Sequence, residues 1–107
     1  MPAGKLKRKS ASYHESLINS LRKKSEAKAY LQAALEDYQE DGSSEALLLA
    51  LRNLAEAQGG ITELAQRTNI NRQHLYRILS NKGNPRLQTF GKLLNGLGFH
   101  LSVSSGQ

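Results

Sequence analysis

The stretch Ile61–Ser80, ITELAQRTNINRQHLYRILS, constrains this chain more than any other. It reads as two short helices packed at a steep angle across a tight turn at Asn69-Ile70-Asn71. A pair of that kind makes demands at particular places. The first helix needs a small residue where its neighbour approaches, and Ala65 is one. The turn needs a residue tolerant of positive φ, and asparagine at 69 enters that region more readily than most non-glycine residues. Leu64, Ile70, Leu75 and Ile78 recur at spacings that point inward. Asn71 is placed to cap the second helix.

The remaining sequence supplies a body for this pair to pack on. Ser16–Gln39 is helical in character, and Tyr30, Leu31, Ala34, Leu35 and Tyr38 fall on one face of it. Asp41-Gly42-Ser43-Ser44 is a stop and a new start, with Ser44 as N-cap. Leu47, Leu48, Leu51, Leu54 and Ala55 form the core stripe of the next helix, which Gly59-Gly60 ends. Gly60 and Thr62 are both candidates to cap the first short helix. After the loop Asn81–Pro85, proline is placed to open a last helix with Leu87, Phe90, Leu94 and Leu97 on its inner face. Phe99, Leu101 and Val103 then alternate with His100 and Ser102, a strand-like pattern whose edge needs a partner. The expected fold is all-α: a helix-turn-helix bundle with an N-terminal helical extension and a short C-terminal extended segment. Residues 1–12, with Lys5, Lys7, Arg8 and Lys9, are expected to be a basic disordered tail, 13–43 the extension, and 44–107 the domain built around the helix pair.

The second short helix carries two unlike faces. Opposite Leu75 and Ile78 lie Arg72, Gln73, Tyr76, Arg77 and Ser80. Arginine pairs with guanine, and glutamine with adenine, through two hydrogen bonds each. Base recognition is therefore expected of Asn71, Arg72, Gln73, Tyr76 and Arg77. Thr62, Ser80, Lys82, Asn84 and Arg86 are expected to hold the phosphate backbone, helped by the free N–H groups at the helix start. The formal net charge of +6 suits a polyanionic partner such as double-stranded DNA.

Several classes lose their basis. Without cysteine, disulfides and thiolate metal sites are excluded. His14, His74 and His100 lack metal-ligand spacing and read as surface residues. Glu36, Asp37, Glu40 and Asp41 read as a solvated face at a helix end, though such a face also suits a basic protein surface. No catalytic constellation is visible, and no enzyme activity, metal or cofactor is expected. No apolar run is long enough to span a membrane, and no apolar segment follows the basic N-terminal residues, so a cytoplasmic protein is expected.

The helix pair resembles the helix-turn-helix of the lambda-repressor/Cro superfamily. More narrowly, AYLQAALE at Ala29–Glu36, the run Asp41–Pro85 and LGFHLSV at Leu97–Val103 resemble the antidote proteins of toxin–antitoxin addiction modules, the HigA-like antitoxins. Asn69 stands where that family usually has glycine. The resemblance implies a transcriptional regulator that binds an operator, usually its own promoter, as a homodimer. It also implies a small basic toxin of the RelE/ParE type, neutralised by direct contact. Tyr30, Leu31, Leu35 and Tyr38 are candidates for that contact, although an apolar helix face is more often core. Two rival readings remain: a solitary phage or mobile-element regulator without a toxin, and a helical protein-interaction module that never binds DNA.

Overall fold

The fold is organised around one apolar helix. In the computed structural model, which describes residues 3–106 with side chains from Ala11 onward, six helices follow in order. They are α1 (Ala3–Ser20), α2 (Lys24–Asp41), α3 (Glu45–Ala57), α4 (Ile61–Thr68), α5 (Arg72–Ile78) and α6 (Leu87–Gly96). The expected all-helical bundle is observed, and no strand occurs among the described residues. The side chains of Lys5, Lys7, Arg8 and Lys9 in the expected tail lie outside the described residues. Among those that are described, no helix is long and apolar enough to cross a membrane.

The α3 sequence, EALLLALRNLAEA, is apolar on almost every side, and Leu47, Leu48, Ala50, Leu51, Asn53, Leu54 and Ala55 are all buried. It packs against α1, α2 and α4, while α4 packs in turn on α5 and α6. Leu48, Leu51 and Leu54 meet Leu64, Leu75, Leu79, Leu93 and Leu94 in one core. Each such leucine contributes about 1.5–3 kcal/mol through removal from water. Asn53, the polar residue in this stripe, donates from Nδ2 to the Tyr30 hydroxyl at 2.9 Å, so its burial leaves no orphan donor.

Four local expectations are modified. The helix expected over Ser16–Gln39 is broken at residues 21–23, where Lys23 is extended (φ −82°, ψ 128°). The last turn of α1 tightens first: Arg22 N–H donates to the Asn19 carbonyl and Lys23 N–H to that of Ser20. The break lets both Leu21 and Ala27 enter the core. Ser44 does occupy the N-cap of α3, but its backbone is helical and its hydroxyl makes no capping bond. Pro85 stands before the α6 N-cap, Arg86, rather than opening the helix. Leu87, expected on the inner face of α6, is 76% exposed; Leu93, Leu94 and Leu97 fill the core instead, with Phe90 partly buried. The C-terminal residues 99–106 run on without helix or strand. Phe99 packs against the core, whereas Leu101 and Val103 face solvent.

Candidate nucleic-acid interface

Backbone conformation sets the angle between α4 and α5. Gly60, at φ 98°, is the N-cap of α4, which settles the choice between Gly60 and Thr62. Asn69 closes α4 in the left-handed region (φ 58°, ψ 33°) and is the sole non-glycine residue there among those described. Ile70 N–H then reaches back to the Ala65 carbonyl at 3.3 Å. This six-to-one closure is the usual one around a left-handed helix end. Gly59 and Gly98 end α3 and α6 in the same way, with Gly60 N–H on Ala55 and Phe99 N–H on Leu94, both at 2.8 Å.

Asn71 starts α5 as expected. Its Oδ1 accepts from Gln73 N–H at 2.9 Å and His74 N–H at 3.1 Å. These two N–H groups at the helix start are therefore satisfied within the chain. Asn71 is left with its Nδ2 hydrogens for any external contact. Leu75 is fully buried and anchors α5 to the core, with Leu79 at its C-cap. Leu79, which the sequence reading did not single out, is the second anchor, while Ile78 is only partly buried.

The opposite face is polar and open. Arg72, Gln73, Tyr76 and Arg77 are all exposed. Arg72 donates from Nη1 to Thr62 Oγ1 at 3.2 Å, which brings a base-recognition candidate and a backbone candidate together across α4 and α5. Ser80 donates its hydroxyl to the Arg77 carbonyl at 2.8 Å, and its own carbonyl accepts Gly83 N–H at 2.9 Å. The Ser80 hydroxyl is thus engaged within the chain. Lys82, Asn84 and Arg86 are exposed on the loop that leaves α5. That loop is tied closely to the helix, since a Cβ on Gly83 would lie 2.1 Å from the Ile78 carbonyl oxygen.

Arg52 was missed by sequence reasoning. From α3 its guanidinium donates to the Leu79 carbonyl and, through Nη2 at 3.2 Å, to Asn81 Oδ1. It thereby holds the C-terminal end of α5 and the start of the loop. Its signal was the single cation in a helix dominated by leucine and alanine. A second clasp ties α4 to the end of α6: Arg67 donates to Gln58 Oε1 at 3.0 Å and to the Gly96 carbonyl at 3.3 Å, while Gln58 Nε2 donates to the Leu97 carbonyl at 2.9 Å. The open face is thus carried on a framework fixed at both ends.

The stripe considered for partner contact is divided. Leu31 is core and Tyr30 turns its hydroxyl to Asn53, whereas Leu35 and Tyr38 line an open groove.

Comparison with known families gives one finding. A family model described as probable addiction module antidote protein matches residues 13–105. No curated protein and no solved structure matches the chain.

Proposed function

The chain belongs to the probable addiction module antidote family, and from that premise we propose that it is a HigA-like antitoxin with a lambda-repressor-like helix-turn-helix. In this reading it represses its own operon in the cytoplasm and neutralises a RelE/ParE-type toxin. The observation that carries the DNA-binding part is α5. One side is locked into the core by Leu75 and Leu79, and the other presents Arg72, Gln73, Tyr76 and Arg77 to solvent. A rigid helix with a cationic, hydrogen-bonding outer face fits a major groove. Arg72 and Gln73 read bases, Tyr76 and Arg77 extend the contact, and Asn71 sets the helix start while offering Nδ2. Thr62, Lys82, Asn84 and Arg86 hold phosphates on either side, and Ser80 shapes the loop between them.

DNA is read by a symmetric dimer, with half-sites roughly 34–36 Å apart. The segment beyond Phe99 is the proposed dimer element, because Leu101 and Val103 are exposed and alternate as an edge strand would. In the same reading, residues 13–43 are a helical extension on a DNA-binding domain at 44–107.

Two variants test the reading. Arg72→Ala and Gln73→Ala should each weaken operator binding by ~1–3 kcal/mol and relax preference at one base position. Binding to random duplex should change far less. Equal losses on both duplexes would remove these residues from base recognition. Co-expression with the product of the adjoining reading frame tests the antidote activity, with growth restored by this chain as the expected result.

A further inference from the structure

The end of α2, the start of α3 and the approach to α6 enclose an open groove of about 300 Å³. Leu35 and Tyr38 line it from α2, Leu47 and Leu51 from α3, and Leu87 and Phe90 from α6. Two of these do not belong to any core: Leu87 is 76% exposed and Tyr38 43%. Large apolar side chains held in water around a concave site offer contacts the chain itself does not use.

The charge on the α2 side of this groove has one sign. Glu36, Asp37, Glu40 and Asp41 stand on the turns of α2 that carry Leu35 and Tyr38, and Glu45 stands on the first turn of α3. Residues 36–45 thus hold five of the nine acidic residues of a chain whose net charge is +6, and include no lysine, arginine or histidine. All five are exposed, and none joins the ion pairs formed among the described residues. Glu40 and Asp41 also sit in the last turn of α2, which has no basic residue. There the partial negative charge of the helix end opposes them. The arrangement is unfavourable to the isolated helix and favourable to a cation brought from outside.

Resting on the antidote reading above, we propose that this groove docks a segment of the toxin in which an apolar anchor is flanked by lysine or arginine. The anchor sits between Tyr38, Leu51 and Leu87, and its flanking cations meet Glu36, Glu40 and Asp41. The far wall, at Asn84 and Pro85, adjoins the cations Lys82 and Arg86, so the docked segment's charges fall on the α2 side. Non-polar contact supplies affinity, and the acidic rim supplies approach rate and selection of a basic partner.

The test titrates the full chain, labelled with nitrogen-15, with the purified product of the adjoining toxin reading frame at low and moderate salt. The parent is compared with Leu87→Asp and with the double change Glu36→Lys and Glu40→Lys, all at exposed positions. Thermal melting of each variant checks that it folds. The expected result is movement of amide signals over residues 35–41 and 86–91. Each variant should bind the toxin more weakly by roughly tenfold or more, and the charge variant should lose most of its salt sensitivity. Equal toxin affinity for parent and variants would overturn the docking surface while leaving the antidote reading intact. No toxin binding by the parent would overturn the antidote reading itself, and the dock with it. A drop in the sedimenting mass of the free chain on Leu87→Asp would mean that a second copy covers the groove, which also overturns the proposal.

Discussion

Two asparagines shape the turn between α4 and α5, and they do different work. Asn69 takes the left-handed conformation that Gly59 and Gly98 take at two other helix ends. A side chain without a short polar group is strained there, so Asn69→Ala should cost about 1 kcal/mol in chemical denaturation, and Asn69→Gly much less. Asn71 satisfies two N–H groups, and Asn71→Ala should cost ~1 kcal/mol through loss of the cap. Both roles were legible in the sequence, because positive φ and N-capping select few residue types. The close approaches were not. Gly96 faces Thr68 and Leu64, where a Cβ would lie 2.6 and 2.9 Å from their side-chain carbons. Ala65 was expected to provide the close approach in this region, yet Gly96 also does so, from a helix distant in sequence. Gly96→Ala should therefore destabilise by ~1–3 kcal/mol through overpacking, read from the denaturation midpoint.

At the scale of elements, α5 is only seven residues long and depends on its neighbours for position. Arg52 provides one such hold by donating to the carbonyl of Leu79, the C-cap of α5, and to Asn81. Arg52→Met keeps much of the side-chain bulk and removes these bonds. It should cost ~1–2 kcal/mol of stability and weaken DNA binding without changing base preference, measured by titration against single-base operator variants. A shift in base preference would make Arg52 part of the reading face rather than its support. Helix existence was clear from spacing and from the glycines that end α3 and α6. What spacing did not convey was the break at residues 21–23. The sequence there, LRK, carries no glycine or proline, and the break follows from burying Leu21 and Ala27 against α3. The inner face of α6 was likewise read one turn too far, because Leu87 keeps the helical period while the core ends at Phe90.

For the whole molecule, the proposed function requires two copies and one basic, salt-sensitive interface. Phe99 packs against the core, so a chain ending at His100 keeps that contact and loses Leu101 and Val103. Such a chain should sediment as a monomer and bind half-site DNA only weakly, whereas an unchanged dimer would place the symmetric contact elsewhere. The net charge of +6 combines an acidic end of α2 with cations around α5 and its loop. Composition alone could not separate these two surfaces; packing places them on different elements. The most direct test of operator recognition is titration of the purified chain with its own upstream DNA and with a scrambled duplex of equal length, at two salt concentrations. An operator-binding repressor should bind the upstream DNA tightly, prefer it clearly over the scrambled duplex, and lose affinity steeply as salt rises. Weak, equal binding to both duplexes would contradict that function, and would leave a helical body that meets proteins but does not read DNA.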